Sequence, residues 1–264
     1  MSLSEQHANR PVALVTGGAS GIGAAIAREL ARDGFYVVIS DIDLKAAESI
    51  VATICEHGGS ASALYLDVTH QESIDACRKT IKGEFTRLDV LVNNAGIQHV
   101  AKLEEFPVDK WQLVIDVLLV GPAMLTRAFL PMMKEQKYGR IVNIGSIHGL
   151  IASPYKSAYI AAKHGLLGFS KTIALEVAEY DITINTICPA YVKTPLVEKQ
   201  IADQAKYYGI SEDEVISKIM LAPMPKQSFI SLEEVTGSVL FLLNPVSRNM
   251  TGQTIVLDGA WTAR

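Results

Sequence analysis

Val12-Ala-Leu-Val-Thr16 runs straight into Gly17-Gly-Ala-Ser20-Gly21-Ile22-Gly23 and on into Ala-Ala-Ile-Ala-Arg-Glu-Leu30. The order reads as strand, glycine turn, helix. Glycines accept positive φ and let backbone N–H groups come close to a pyrophosphate, which the positive end of the following helix also attracts. Gly17, Ser20, Gly21, Ile22 and Gly23 are therefore candidate cofactor contacts. The spacing Thr16-Gly17-x-x-x-Gly21-x-Gly23 is wider than the usual dinucleotide fingerprint, and a glycine turn without a ligand is the competing explanation.

Eighteen residues past Gly23, the run Tyr36-Val-Val-Ile-Ser-Asp41 reads as a strand that ends in an acid. A carboxylate there accepts hydrogen bonds from a ribose 2′-hydroxyl and repels a 2′-phosphate, so NAD is expected over NADP. The glycine turn carries no Arg or Lys to hold a 2′-phosphate. Asp41 also suits the cap of a helix starting near Leu44.

Further β-rich runs near 61–67, 89–93, 139–145, 182–188 and 254–258 alternate with amphipathic stretches. About seven strands alternating with helices predict a single-domain, Rossmann-like, doubly wound α/β fold over 1–264. In such sheets ligands gather beyond the carboxyl ends of the strands. Thr16, Asp41, Asp67, Asn93 and Ser146 all follow or close a predicted strand, so they are expected on one rim. The stretch 190–225 is the least regular and reads as a lid over the site or as a surface helix pair.

Composition narrows the function. At 264 residues, 49% hydrophobic and 20% charged, the chain buries a sizeable core. A formal charge of -4 and a pI near 5.9 argue against a nucleic-acid partner. Cys55, Cys77 and Cys188 form no Cys-x-x-Cys pair, so neither a disulfide framework nor a metal site is expected. Asp116 interrupts the longest apolar run, and Met1–His7 lacks a signal-peptide core. The expectation is a cytoplasmic protein with no membrane partner.

Tyr159 and Lys163 stand four apart in Ser-Ala-Tyr-Ile-Ala-Ala-Lys-His-Gly, with Ser146 thirteen residues upstream of the tyrosine. If residues 155–180 are helical, phenol and ammonium share a face. One charge at roughly 4 Å and an effective dielectric near 20 is worth about 4 kcal/mol, or some three pKa units. A tyrosine so lowered acts as general acid–base for an alcohol/ketone pair.

As a set, Thr16-Gly-Gly-Ala-Ser-Gly-Ile-Gly23, Asp67-Val68, Asn93-Asn-Ala-Gly96, Ser146, Tyr159-x-x-x-Lys163 and Cys188-Pro189 followed by Thr194 resemble the short-chain dehydrogenase/reductase family over essentially the whole chain. The resemblance implies that Tyr159 is the acid–base, that Lys163 lowers its pKa and holds the nicotinamide ribose, and that Ser146 bonds the substrate oxygen. It implies that Asp67 and Val68 meet the adenine, that Asn94 and Gly96 line the cofactor, and that Pro189, Val192 and Thr194 embrace the nicotinamide. Within the family, Ala152–Tyr159, Tyr191–Ala205 and the ending Asp258–Arg264 resemble members acting on a short hydroxy acid. That likeness implies NAD-linked oxidation of 3-hydroxybutyrate to acetoacetate, by a homotetramer.

Lys156, three residues before Tyr159, is expected in the first turn of the same helix, where a cation opposes the macrodipole by about 0.3–1 kcal/mol. An anionic substrate explains a lysine so placed; a solvated surface lysine is the plainer explanation. Gln98, His148, Tyr191 and Gln200 resemble the family's remaining substrate contacts.

One position departs from the pattern. Seven residues after Trp111, where the family usually presents an asparagine that holds a relay water, stands Leu118, and Gly121 keeps the register. Leucine bonds no water, so a rerouted relay is expected. The competing functions are a short-chain reductase of another 3-oxo, sugar or steroid substrate and a non-catalytic NAD-binding module.

Overall fold

A strand buried on both faces needs apolar side chains on both, and β1 (Val12–Thr16) has all five residues buried. The computed structural model describes residues 10–263, so the reading of Met1–His7 lies outside the described residues. After β1 come α1 (Gly21–Arg32), β2 (Tyr36–Asp41), α2 (Leu44–Glu56), β3 (Ser60–Tyr65) and α3 (Gln71–Glu84). Next are β4 (Val90–Asn93), α4 (Val108–Glu135), β5 (Tyr138–Ile144), α5 (Ser157–Glu176) and β6 (Asp181–Pro189). The chain closes with α6 (Pro195–Tyr208), the short α7 (Glu212–Val215), α8 (Leu232–Leu243) and β7 (Thr254–Leu257).

The seven strands pair in parallel in the order 3-2-1-4-5-6-7, as the doubly wound expectation requires. The order reverses between β1 and β4, so a crevice opens beyond their carboxyl ends. β3 stops at Tyr65, which leaves Asp67 in the loop rather than on the strand.

Register carries one row of side chains across the sheet: Val38 beside Leu14, Leu14 beside Leu91, Leu91 beside Ile141, Ile141 beside Ile184. This row packs with Ile74 and Ile81 of α3, Leu125 and Phe129 of α4, and Ala158 and Ala162 of α5. The alternate row, with Val15, Ile39 and Val92, packs on Ile26 and Leu30 of α1, Ile54 of α2 and Val239 of α8. The period of two thus divides the core between two layers of helices.

A polar seam holds α5 to the sheet just below the crevice. Asn93 Nδ2 donates to Asn143 Oδ1 at 2.8 Å, Asn143 Nδ2 to Ser170 Oγ at 2.9 Å, and Ser170 Oγ lies 3.0 Å from Thr186 Oγ1. Buried polar groups left unpaired are costly, so the seam fixes α5, and with it Tyr159 and Lys163.

One expectation changes here, and the stretch 190–225 takes a form. Asp116 does not interrupt the apolar run: α4 is one helix of 28 residues, by length and composition long and apolar enough to cross a membrane. It is a core helix, with Leu118, Leu125, Phe129 and Met133 buried against the neighbouring layers. A π-helical turn at Asp116–Val120 lies inside it. The irregular 190–225 stretch contains α6 and α7, joined through left-handed Gly209, around a small cluster of Ile201, Val215 and Met220. It is a helix pair with its own core, set beside the crevice.

Candidate active site

The crevice is a cleft of about 470 Å³, and every residue expected to bind or react lines it except Gly23. Gly23 serves from behind. A Cβ there would lie 2.2 Å from Gly17 O, so only glycine lets α1 close on the turn. Gly17 has φ +60, and a Cβ on it would meet Ala95 Cα at 2.7 Å. Asn94 locks the turn by donating from Nδ2 to both Thr16 O and Gly17 O at 2.9 Å. Ser20 caps α1 with no side-chain hydrogen bond, so the first N–H groups of that helix face the cleft uncapped. These features fit a pyrophosphate.

Asp41 ends β2 in the cleft, and the capping role falls to Asp43, whose carboxylate accepts from Ala46 N at 3.0 Å. Asp41 accepts from Ala19 N and from Asp43 N, both at 3.1 Å, so the acid is tied to the glycine turn. Burial pushes the Asp67 carboxyl up, but hydrogen bonds from Thr69 and the nearby His70 outweigh it and leave it below the usual carboxylate range.

The four-residue spacing does place Tyr159 and Lys163 on one face of α5, with Lys163 Nζ 5.8 Å from the phenol ring centre. The predicted lowering of the phenol does not follow. Burial pushes Tyr159 above its ordinary value, and a hydrogen bond with Ser146 offsets this only in part. Lys163 is turned elsewhere: it donates to Ile144 O at 2.6 Å, and burial pulls it down to about 8. A phenol stays neutral where desolvation outweighs a cation beyond contact distance.

Lys156 is not in the first turn of α5. It occupies the N-cap position, with φ −120 and ψ 33, and is 6% exposed. Its Nζ stands 5.7 Å from the Tyr191 ring centre, and it joins no ion pair among the described residues. Burial pulls it down to about 8, which still leaves it mostly charged at pH 7. Gln98 and Gln200 line the same cleft, and Gln200 Nε2 is buried without a partner. His148 is 4% exposed and held neutral, down to about 4, by burial and then by Lys156 and His164.

Two residues at this end were not singled out from the sequence. Trp261 stacks on Tyr191 with ring centres 6.1 Å apart and meets His148 edge-on at the same separation. Asp258 fixes it by accepting from Ala260 N and Thr262 N, an Asx turn that Asp-Gly-Ala-Trp-Thr signals in sequence. Ser153 Oγ lies 2.8 Å from His148 Nε2, a contact across a loop for which the sequence holds no signal. Leu118, 1% exposed, faces the cleft beside Gly96, while Gly121 packs on Val68.

The family model described as short chain dehydrogenase matches residues 11–205. The chain is 45% identical to D-beta-hydroxybutyrate dehydrogenase of Rhizobium meliloti over 96% of its own length and 98% of the relative's. It is 38% identical to 3-oxoacyl-[acyl-carrier-protein] reductase of Synechocystis over 94% and 95%. A solved structure described as gox2181 superposes with a TM-score of 0.89 at 31% identity, covering 97% of this chain and 96% of that one.

Proposed function

The chain belongs to the short chain dehydrogenase family of oxidoreductases, and we propose that its reaction is the reversible, NAD-linked oxidation of D-3-hydroxybutyrate to acetoacetate. One observation carries the substrate: Lys156 is a buried cation that joins no ion pair among the described residues, on the wall of a cleft that Gln200, whose Nε2 also lacks a partner, lines too. A buried charge costs several kcal/mol unless an opposite one meets it, and a substrate carboxylate supplies that opposite charge. The 45% identity to a D-beta-hydroxybutyrate dehydrogenase points the same way.

The glycine turn and the uncapped start of α1 would hold the pyrophosphate, and Asp41 the adenosine ribose. When bound, the nicotinamide supplies hydride transfer to or from the substrate's C3. Tyr159 takes the hydroxyl proton, Ser146 orients the oxygen, and Lys156, Gln98 and Gln200 fix the carboxylate. The positive charge of the oxidised cofactor is expected to bring the Tyr159 phenol back toward neutrality. Asp41 supports NAD over NADP by repelling a 2′-phosphate. We further propose closure of the α6–α7 pair over the cleft, a homotetramer, and a cytoplasmic setting, the last supported by three free cysteines.

A second reading keeps the chemistry and replaces the acid with a neutral alcohol or a 3-oxoacyl group, favoured by the apolar Leu113, Val117 and Leu118 on the cleft wall. Initial rates of reduced-cofactor formation with D-3-hydroxybutyrate, its L-enantiomer, its methyl ester and a series of neutral secondary alcohols, each with NAD and with NADP, separate the two. Fast turnover of the D-acid with NAD alone is the expected result. Neutral alcohols turned over in preference to the acid would overturn the substrate.

A further inference from the structure

Lys156 lines the cleft, yet among the described residues its ammonium joins no hydrogen bond and no ion pair. What it meets is a ring. Its Nζ lies over Tyr191, 5.7 Å from the ring centre, within the reach of a cation–π contact. Lys163 stands over Tyr159 at a similar 5.8 Å, but its Nζ also donates to Ile144 O. Lys156 has the ring alone.

We propose that Tyr191 is a positioning residue: its ring seats the Lys156 ammonium, keeps it charged and holds it at the cleft until a substrate carboxylate takes it over. The proposal rests on the reading of Lys156 as the carboxylate's partner.

Both halves of the contact are built on the frame of the molecule. Tyr191 follows β6 and precedes α6, so it stands outside the helix pair. Ala190 N donates to Leu257 O at 2.8 Å, Ile230 N donates to Tyr191 O at 2.9 Å, and Val192 forms a parallel bridge with Ile230. Trp261, fixed by the Asp258 turn, stacks on the Tyr191 ring. On the lysine's side, Tyr155 O accepts from Ala101 N at 3.0 Å, and Trp111 Nε1 of α4 donates to Ser157 Oγ at 3.2 Å. The residues before and after Lys156 are thus both tied down. What stays free to turn is the four-carbon stem of the lysine, and a ring at its tip restricts that freedom.

A ring suits this place better than an acid. A resident Asp or Glu would neutralise the ammonium and repel an incoming carboxylate. A ring face carries a quadrupole and no net charge, so it attracts the cation while leaving its charge unmatched. Burial, then Tyr159, pushes Tyr191 up to about 12, so the seat is a neutral phenol. His148, the titratable group from the turn after β5 that interacts with Lys156, is held neutral, and Tyr159 on the lysine's own helix is raised by burial. Burial pulls Lys156 down to about 8, and the ring works against that pull.

The test changes the electrons of the ring and keeps its shape. Tyr191→Phe is compared with trifluorophenylalanine at the same position, whose ring face no longer attracts a cation, in protein labelled with ¹³C-lysine. Lys156 is assigned by the signal lost in Lys156→Met. With no substrate present, the Lys156 ε-methylene of wild type and Tyr191→Phe is expected upfield of the exposed lysines, shifted by the ring current. A weaker ring stabilises the ammonium less, so its titration midpoint is expected to fall by about one pH unit from Tyr191→Phe to the trifluoro variant, the size of one desolvated cation–π contact. In kinetics, the preference in kcat/KM for D-3-hydroxybutyrate over its methyl ester should fade at a correspondingly lower pH in the trifluoro variant. A Lys156 signal among those of the exposed lysines, or a midpoint that fluorination does not move, would overturn the seat. Equal turnover of acid and ester by wild type would instead sink the carboxylate reading, and the substrate-free midpoint would still decide the seat by itself.

Discussion

At the amino-terminal ends of the strands, buried charges meet opposite ones. Asp89, 1% exposed, is clasped by Arg87 and accepts Val12 N at 2.7 Å, and Arg140, 3% exposed, donates to the Asp181 carboxylate at 2.8 Å. At the carboxyl-terminal ends, Lys156 and Lys163 are 6% and 5% exposed and neither joins an ion pair among the described residues. At the first rim each buried charge has its counter-charge, although Arg140 Nε keeps no partner; the second is left electrostatically incomplete. A ligand carboxylate at Lys156 and a cofactor ribose at Lys163 would complete it, so the rims should respond in opposite senses to losing a charge.

The largest expected effect lies at the incomplete rim. Tyr159→Phe should lower kcat by about 10³-fold, within the range for a lost general acid–base, with cofactor affinity unchanged in a fluorescence titration. At the paired rim, Asp89→Ala should cost roughly 3 kcal/mol in urea unfolding because it strands both Arg87 and Val12 N–H, while kcat of the folded fraction stays at the wild-type value.

Lys156→Met should do the reverse and raise stability at pH 7 by roughly 2–3 kcal/mol. The depressed lysine destabilises the fold fully below about 8, and the cost disappears as pH rises from about 8 toward 10.5. Wild-type stability should therefore climb across that window, and the variant's should climb less. Smallest of all, Leu118→Asn should alter kcat less than threefold; a tenfold rise would mean the missing amide limits the proton path. Its unfolding curve must be followed too, since a buried amide carries its own cost.

The fold was legible because β1, the glycine turn and α1 use three local signals in order, and because α1 and α2 are each followed by a glycine, Gly34 and Gly58, that takes the positive φ a helix stop uses. The rim was legible for the same reason: residues that end parallel strands share one edge. Strand pairing, by contrast, says nothing of side-chain direction, and there the sequence fell short. Spacing put Lys163 beside Tyr159 but could not show the ammonium turned to Ile144 O or the phenol raised by burial. Lys156 fell at the N-cap because the chain before α5 takes a tight turn, with Tyr155 at φ 68. Ser153 and Trp261 reach His148 from a loop and from the far end of the chain, contacts that no periodicity encodes.

The most direct test is the ratio of kcat/KM for D-3-hydroxybutyrate to that for its methyl ester, measured with NAD in wild type and in Lys156→Met from pH 6 to 9. A buried cation that awaits a carboxylate predicts a wild-type ratio of at least tenfold at pH 7. The ratio should fade as pH passes about 8 and the lysine loses its proton, and it should stand near one in the variant at every pH. Equal rates for acid and ester in wild type, or a preference that survives Lys156→Met, would contradict the assignment.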